Sequence, residues 1–289
     1  MTTTADWIAG ARPRTLWTGA VPVLVGSASA FAIDGFRPLL ALIALGVALA
    51  LQIGSNYAND YADGIRGTDV DRIGPERLVA SGKALPRSVK NAAYASLALG
   101  AVLGLLLVWL SGQWWLLAVG AVAVIAAWTY TGSSRPYGYA GWGEVSVFIF
   151  FGPVAVLGTM YTQAGTVTWW AVAASAGVGM FSVALLLVNN IRDLATDALA
   201  GKRTLAVKLG EFRARRLFAA VVTLPIVCAV LVAFVHPFAL GATFIALPAL
   251  FIALGMRMGA EGANFKVMFA GISGVGLAYG LLLAVGIAI

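Results

Sequence analysis

Residues 38–63 read PLLALIALGVALALQIGSNYANDYAD. No charge interrupts 38–58, and a membrane-crossing helix needs roughly 20 consecutive apolar residues. Without any helix breaker, the run then passes into Asn56, Asn59, Asp60 and Asp63. An apolar span that ends in amides and carboxylates sets two expectations. One is a membrane helix, and the other is polar chemistry at one end of it.

Composition extends the first expectation to the whole chain. Of 289 residues, 61% are hydrophobic and 11% charged, where soluble domains carry about 25% charged residues. So few charges cannot cover that much apolar surface in water, which excludes the two soluble domains ordinary for this length. The reading is an all-α, polytopic membrane protein in one domain, 1–289. Nine spans are expected, at about 16–33, 38–58, 89–110, 113–131, 143–161, 166–188, 216–235, 238–256 and 267–288. His236 and Pro237 would form the tight turn between the seventh and eighth. The 34 glycines suit helices that pack closely through small residues. Trp114/Trp115, Trp142 and Trp169/Trp170 fall at span ends, as an interfacial aromatic belt does. Cys228, the single cysteine, can form no internal disulfide and reads as a small buried residue.

The net charge of +7 could suggest a nucleic-acid partner, but its distribution points to a membrane. The segment 1–11 is mixed, and Arg12 and Arg14 precede the first apolar run, so that span reads as retained. With the N-terminus inside, every basic residue except Arg37 falls in an inward segment. That bias places the N-terminus in the cytoplasm, the C-terminus outside, and the chain in the cell membrane, with lipid rather than nucleic acid around it.

Two inward connections are long, about 59–88 and 189–215, and long connections are usually functional. The first holds Asp60, Asp63, Asp69 and Asp71, and the second Asp193, Asp197 and Glu211. If helical, Asn56, Asp60 and Asp63 share one face, and so do Asn189, Asp193 and Asp197. Two such carboxylates about 5 Å apart repel by roughly 3 kcal/mol at an effective dielectric of about 20. A divalent cation reverses that cost, and an oxygen-only donor set points to Mg²⁺. Mg²⁺ takes one or two carboxylates and completes its shell with water and substrate phosphates. Two matched clusters on one membrane side, among arginines and lysines, therefore suit a Mg²⁺-bound diphosphate better than a solvated loop of mixed charge.

At these residues the chain resembles the UbiA-type superfamily of intramembrane aromatic prenyltransferases. The stretches that carry the resemblance are 11–16 (ARPRTL), 59–63 (NDYAD), 77–82 (RLVASG), 135–144 (RPYGYAGWGE), 150–153 (FFGP), 189–193 (NNIRD) and 201–205 (GKRTL). Gly64 stands where some members carry an aspartate, and Leu78 follows Arg77 where the hydroxybenzoate enzymes have proline. Both departures are typical of the branch that uses 1,4-dihydroxy-2-naphthoate.

The resemblance implies a nine-helix bundle that transfers a polyprenyl chain from its diphosphate to an aromatic acid. Asp60, Asp63, Asp193 and Asp197 would hold Mg²⁺. Asn56, Asn59, Asn189, Asn190, Arg66, Arg72, Lys202 and Arg203 would hold the diphosphate. Tyr130 or Tyr61 could stabilise an allylic cation through its ring face. Arg14, Arg135, Tyr137 and Glu144 are candidates for the acceptor. His236 falls on the outer side and is set apart from the chemistry. A transporter is the rival class, but its ion sites lie near mid-membrane, whereas the acids here sit at span ends and in loops.

Overall fold

The computed structural model describes residues 2–67 and 77–289. Asp69, Asp71 and Arg72 lie outside the described residues. The described chain is helical throughout. A short helix, α1 (Thr4–Gly10), opens it, and its Thr3 and Asp6 form a reciprocal capping box. The larger helices then follow as α2 (Trp17–Phe31), α3 (Pro38–Arg66), α4 (Pro86–Ser111) and α5 (Leu116–Thr129). One further span combines α6 (Gly143–Ile149), a π-turn (Phe150–Val154) and α7 (Ala155–Ala164). Pro153 lies inside that turn, where a wider ring accommodates the missing N–H. Next come α8 (Trp169–Arg192), the short α9 (Leu194–Leu199) and α10 (Leu205–Leu209), and α11 (Glu211–Ala233). A 3-10 stretch (Pro237–Ile245) leads into α12 (Ala246–Arg257), and α13 (Asn264–Ala288) closes the chain.

Among the described residues, seven helices are long and apolar enough to cross a membrane. The other two expected spans correspond to α2 and α5, which have 15 and 14 residues. At about 1.5 Å per residue, neither reaches the roughly 30 Å of a hydrocarbon core by itself. Turns cut them short. Arg12–Thr15 coils into a 3-10 turn before α2, Asp34 is left-handed after it, and α5 stops at Thr129 before the Gly132 turn. The expected turn at His236 and Pro237 is present, but the eighth span begins in 3-10 rather than α geometry.

α8 is the central helix. Its apolar window is 72% buried, whereas no other long span exceeds 39%. Small residues permit this: Gly177 packs under Tyr279, and Gly179 lies against Gly152 of the π-turn. α2, α11 and α13 surround α8, and this side holds the main apolar core, with Val25, Met160, Phe181, Phe218 and Tyr279. Cys228 is buried, as expected. Trp114, Trp115, Trp142 and Trp169 are exposed. Trp170 departs from the belt: it is 4% exposed and packs edge-on against His236, with ring centroids 4.4 Å apart.

The other side is looser. α3 and α4 form a close pair, while α5 leans on them and buries no residue fully. The space between this pair and α8 holds the candidate site.

Candidate active site

The first polar cluster is helical, because α3 runs on through Asn56, Asn59, Asp60 and Asp63 to Arg66. The region read as a loop from residue 59 is thus a helix end, and Asn56, Asp60 and Asp63 are all buried. Each has a defined partner. The Asn56 amide donates to the Ala11 carbonyl at 2.9 Å. The two oxygens of Asp60 accept the backbone N–H groups of Leu78, at 2.9 Å, and Val79, at 3.0 Å. Asp60 therefore docks the segment 77–82 onto α3 by charge-assisted bonds. Gly64 is required in the same contact, since a Cβ there would overlap Val79. That crowding leaves no room for an aspartate at 64.

Asp63 faces the second half of the chain. It accepts a hydrogen bond from the Tyr139 hydroxyl and one from Lys202 Nζ at 3.1 Å. Lys202 Nζ also lies 3.7 Å from Asp197 and 4.7 Å from the centre of the Tyr139 ring. Burial and the Asp63 carboxylate push the Tyr139 hydroxyl pKa well above its ordinary value, so it stays a donor. The Arg66 guanidinium also lies 5.3 Å from the centre of that ring, and it donates to the Thr131 and Ser133 carbonyls at 2.7 and 2.6 Å. Asn59 accepts from the Thr131 hydroxyl.

The second cluster does not form the continuous stripe that its spacing suggested. α8 ends at Arg192, and Asp193 occupies a non-helical cap before α9. Arg192 grips the two Asp193 oxygens at 2.6 Å each. Asp197 sits on α9, and its carbonyl accepts from Lys202 N–H at 2.8 Å. Asn190 donates to Glu144 at 2.8 Å. The other Glu144 oxygen is buried without a partner among the described residues.

Beside these residues opens a cavity of about 710 Å³. Arg12, Asn56, Asn59, Tyr130, Tyr137 and Asn189 line its polar end. From there it runs between α3, α4, α5 and α7 along apolar and small residues such as Leu105, Gly104, Gly120 and Gly158. The π-turn presents Phe150 and Phe151 to the same space. Tyr137 is fixed by bonds to the Ala126 carbonyl and the Ser146 hydroxyl, both 2.9 Å.

Three expected residues lie apart. Arg14, Arg135 and Arg203 are exposed and outside the cavity lining. Arg12, two residues before Arg14, lines it instead and reaches the Asn56 carbonyl at 3.4 Å. Arg12 is one of two non-glycine residues with a left-handed backbone among those described, at φ 56°. Spacing alone gave no reason to prefer it over Arg14. Tyr139 and Thr131 were also missed, since their partners are 76 and 72 residues away in sequence.

Among the described residues no three His, Cys, Asp or Glu side chains gather as a metal cage. Mg²⁺ asks for less, namely one or two carboxylates beside water and phosphate oxygens. Asp63 and Asp197, already drawn to one ammonium, are such a pair, and their oxygen chemistry fits that ion.

A helical membrane bundle around a largely apolar cavity, with Arg12 and amides at its polar end and two carboxylates drawn to one ammonium nearby, has the features of a protein that receives an amphiphile with an anionic head. The chain belongs to the UbiA prenyltransferase family, whose model matches residues 19–286. It is 56% identical over 218 residues to a 1,4-dihydroxy-2-naphthoate octaprenyltransferase of Mycobacterium tuberculosis, covering 75% of this chain and 74% of the relative. The Escherichia coli protein of the same name is 40% identical, over 78% and 75% of the two chains. The fold matches a UbiA homologue from Aeropyrum pernix with a TM-score of 0.71 at 18% identity, over 93% of this chain and 97% of that one. It also matches one from Archaeoglobus fulgidus, solved with DMAPP and Mg²⁺, with a TM-score of 0.65 at 16% identity over 96% and 99%.

Proposed function

We propose that this chain transfers a polyprenyl group from its diphosphate to 1,4-dihydroxy-2-naphthoate, with loss of CO₂, in menaquinone biosynthesis. One observation carries the reading of the site. Asp63, from the first polar cluster, and Asp197, from the second, converge on a single cation, Lys202, beside the polar end of the cavity. Relatives at 56% and 40% identity bear the naphthoate name, which supports this acceptor.

In this reading Asp63 and Asp197 would hold Mg²⁺, while Asp60 is bonded to the 77–82 backbone and Asp193 to Arg192. Bound there, Mg²⁺ would stabilise charge on the leaving diphosphate. Lys202, Arg66, Asn59 and Asn189 take phosphate oxygens as the C–O bond of the allylic diphosphate breaks. The apolar channel receives the tail and keeps water from the allylic carbon, with the Tyr130 ring beside it. The new C–C bond forms at the ring carbon that bears the carboxylate. The C–CO₂ bond then breaks, and its electron pair restores aromaticity, so no proton need leave that carbon. Arg12 is better placed than Arg14 or Arg135 to orient the acceptor carboxylate, with Tyr137 near it and Glu144 behind. The excess of basic residues in these loops supports a polar end that faces the cytoplasm.

The test uses purified protein, Mg²⁺ and one polyprenyl diphosphate, offered dihydroxynaphthoate, 4-hydroxybenzoate or homogentisate. The expected result is turnover with the naphthoate and one CO₂ released per prenyl group. Turnover with 4-hydroxybenzoate and none with the naphthoate would overturn the acceptor. Absence of diphosphate release with every acceptor would return the transporter reading.

A further inference from the structure

A second crevice opens at the same end of the bundle, away from the cavity. It lies between the first turns of α11 and the last turns of α12 and encloses about 290 Å³. Arg216 and Arg257 both line it, above Ala219, Ala220, Leu250 and Leu254. The neighbouring arginine is used differently. Arg215 turns inward, bonds Glu211 at 2.7 Å, and donates to the Met256 and Ala260 carbonyls at 2.7 and 2.9 Å, which ties the two helix ends together. Arg216 points to the outer face, with its guanidinium 5.4 Å from the Phe212 ring. Arg216 and Arg257 are exposed, and neither forms an ion pair among the described residues. Two cations that face one crevice repel each other unless an anion joins them.

The walls below settle what kind of anion fits. Leu250 and Leu254 are exposed, and Leu247 and Phe251 continue the apolar surface along α12. A soluble anion would match the arginines and leave this surface unused, while an apolar partner would leave the arginines without a counter-charge. A phospholipid matches both halves, because basic pockets between helices at the cytoplasmic surface suit anionic head groups. We propose that the crevice between α11 and α12 binds an anionic phospholipid, with its phosphate between Arg216 and Arg257 and an acyl chain along Leu250 and Leu254. The site is independent of the prenyl-transfer reading and uses none of its residues.

The test is lipid retention by the full-length protein, solubilised from vesicles of equal phosphatidylglycerol and phosphatidylcholine. Wild type is expected to retain phosphatidylglycerol at least about fivefold over phosphatidylcholine. The double variant Arg216→Gln/Arg257→Gln is expected to bring that ratio near one. Arg213→Gln, which removes an equal kind of charge outside the crevice, is expected to leave it unchanged. Equal retention of both lipids by wild type would overturn the proposal. So would a loss in Arg213→Gln as large as in the double variant, or full displacement of the lipid by millimolar inorganic phosphate. Turnover in phosphatidylcholine vesicles should be the same for wild type and double variant, so failure here is distinguishable from failure of the enzymatic reading.

Discussion

The two polar clusters have similar sequences and different architectures. The first rides on an unbroken helix, with Asn56, Asp60 and Asp63 buried on one side of α3. The second straddles a break, with Asp193 capping α8 and Asp197 on α9. Only one carboxylate of each, Asp63 and Asp197, is turned to the shared cation. Asp60 is bonded to backbone, and Asp193 to the arginine beside it. Matching spacing thus does not mean matching work. In both clusters one acid meets the shared cation while the other is bonded elsewhere, Asp60 to the backbone of the 77–82 segment and Asp193 to Arg192.

The sharpest way to break this division is to compare activity with stability. Asp63→Ala should lower kcat by about 10²–10³-fold, the usual scale for losing one preorganised electrostatic group. It should leave a folded, monodisperse protein, because among the described residues Asp63 bonds the side chains of Tyr139 and Lys202. Turnover near wild type in Asp63→Ala and Asp197→Ala would end the assignment of the pair. Asp60→Ala should also lose activity, with a larger thermal-unfolding cost than Asp63→Ala, since it strips the partner from the buried Leu78 N–H, at about 1–3 kcal/mol, and from the half-buried Val79 N–H. An unchanged melting temperature would mean that Asp60 does not dock the 77–82 segment. Gly64→Ala probes the same docking from the side of shape, and overpacking against Val79 should cost about 1–3 kcal/mol.

The smallest effect lies at the edge of the first cluster. The bonds from Thr3 to the half-buried Asp6, with help from Lys83, hold its carboxyl at about 2, below the usual 3.8. A lowered folded-state pKa stabilises above the unfolded value and is lost as pH falls through the folded one. The melting temperature should therefore drop slightly more in wild type than in Asp6→Ala between pH 4 and about 2. Parallel curves would show that the α1 cap contributes nothing to holding α1 on α3.

Much of this was legible in the chain itself. The run from Pro38 to Asp63 announced both a membrane helix and polar chemistry at its end, because period and apolar length are local properties. The helical face of Asn56, Asp60 and Asp63 followed from the same period. The break at Asp193 did not, since four-residue spacing survives a one-residue kink. Arg14 and Arg12 could not be told apart, because their difference is one left-handed backbone residue.

Sequence alone determined the class of fold, the membrane solvent and the residue types of the site, since composition and local periodicity decide those. Tertiary structure alone decided which acids meet. Lys202 comes within 3.1 Å of Asp63, although the two are 139 residues apart, and Tyr139 approaches the same carboxylate from a third segment. Such meetings depend on how α8 is buried among its neighbours, and packing between distant helices leaves no mark in the spacing of either one.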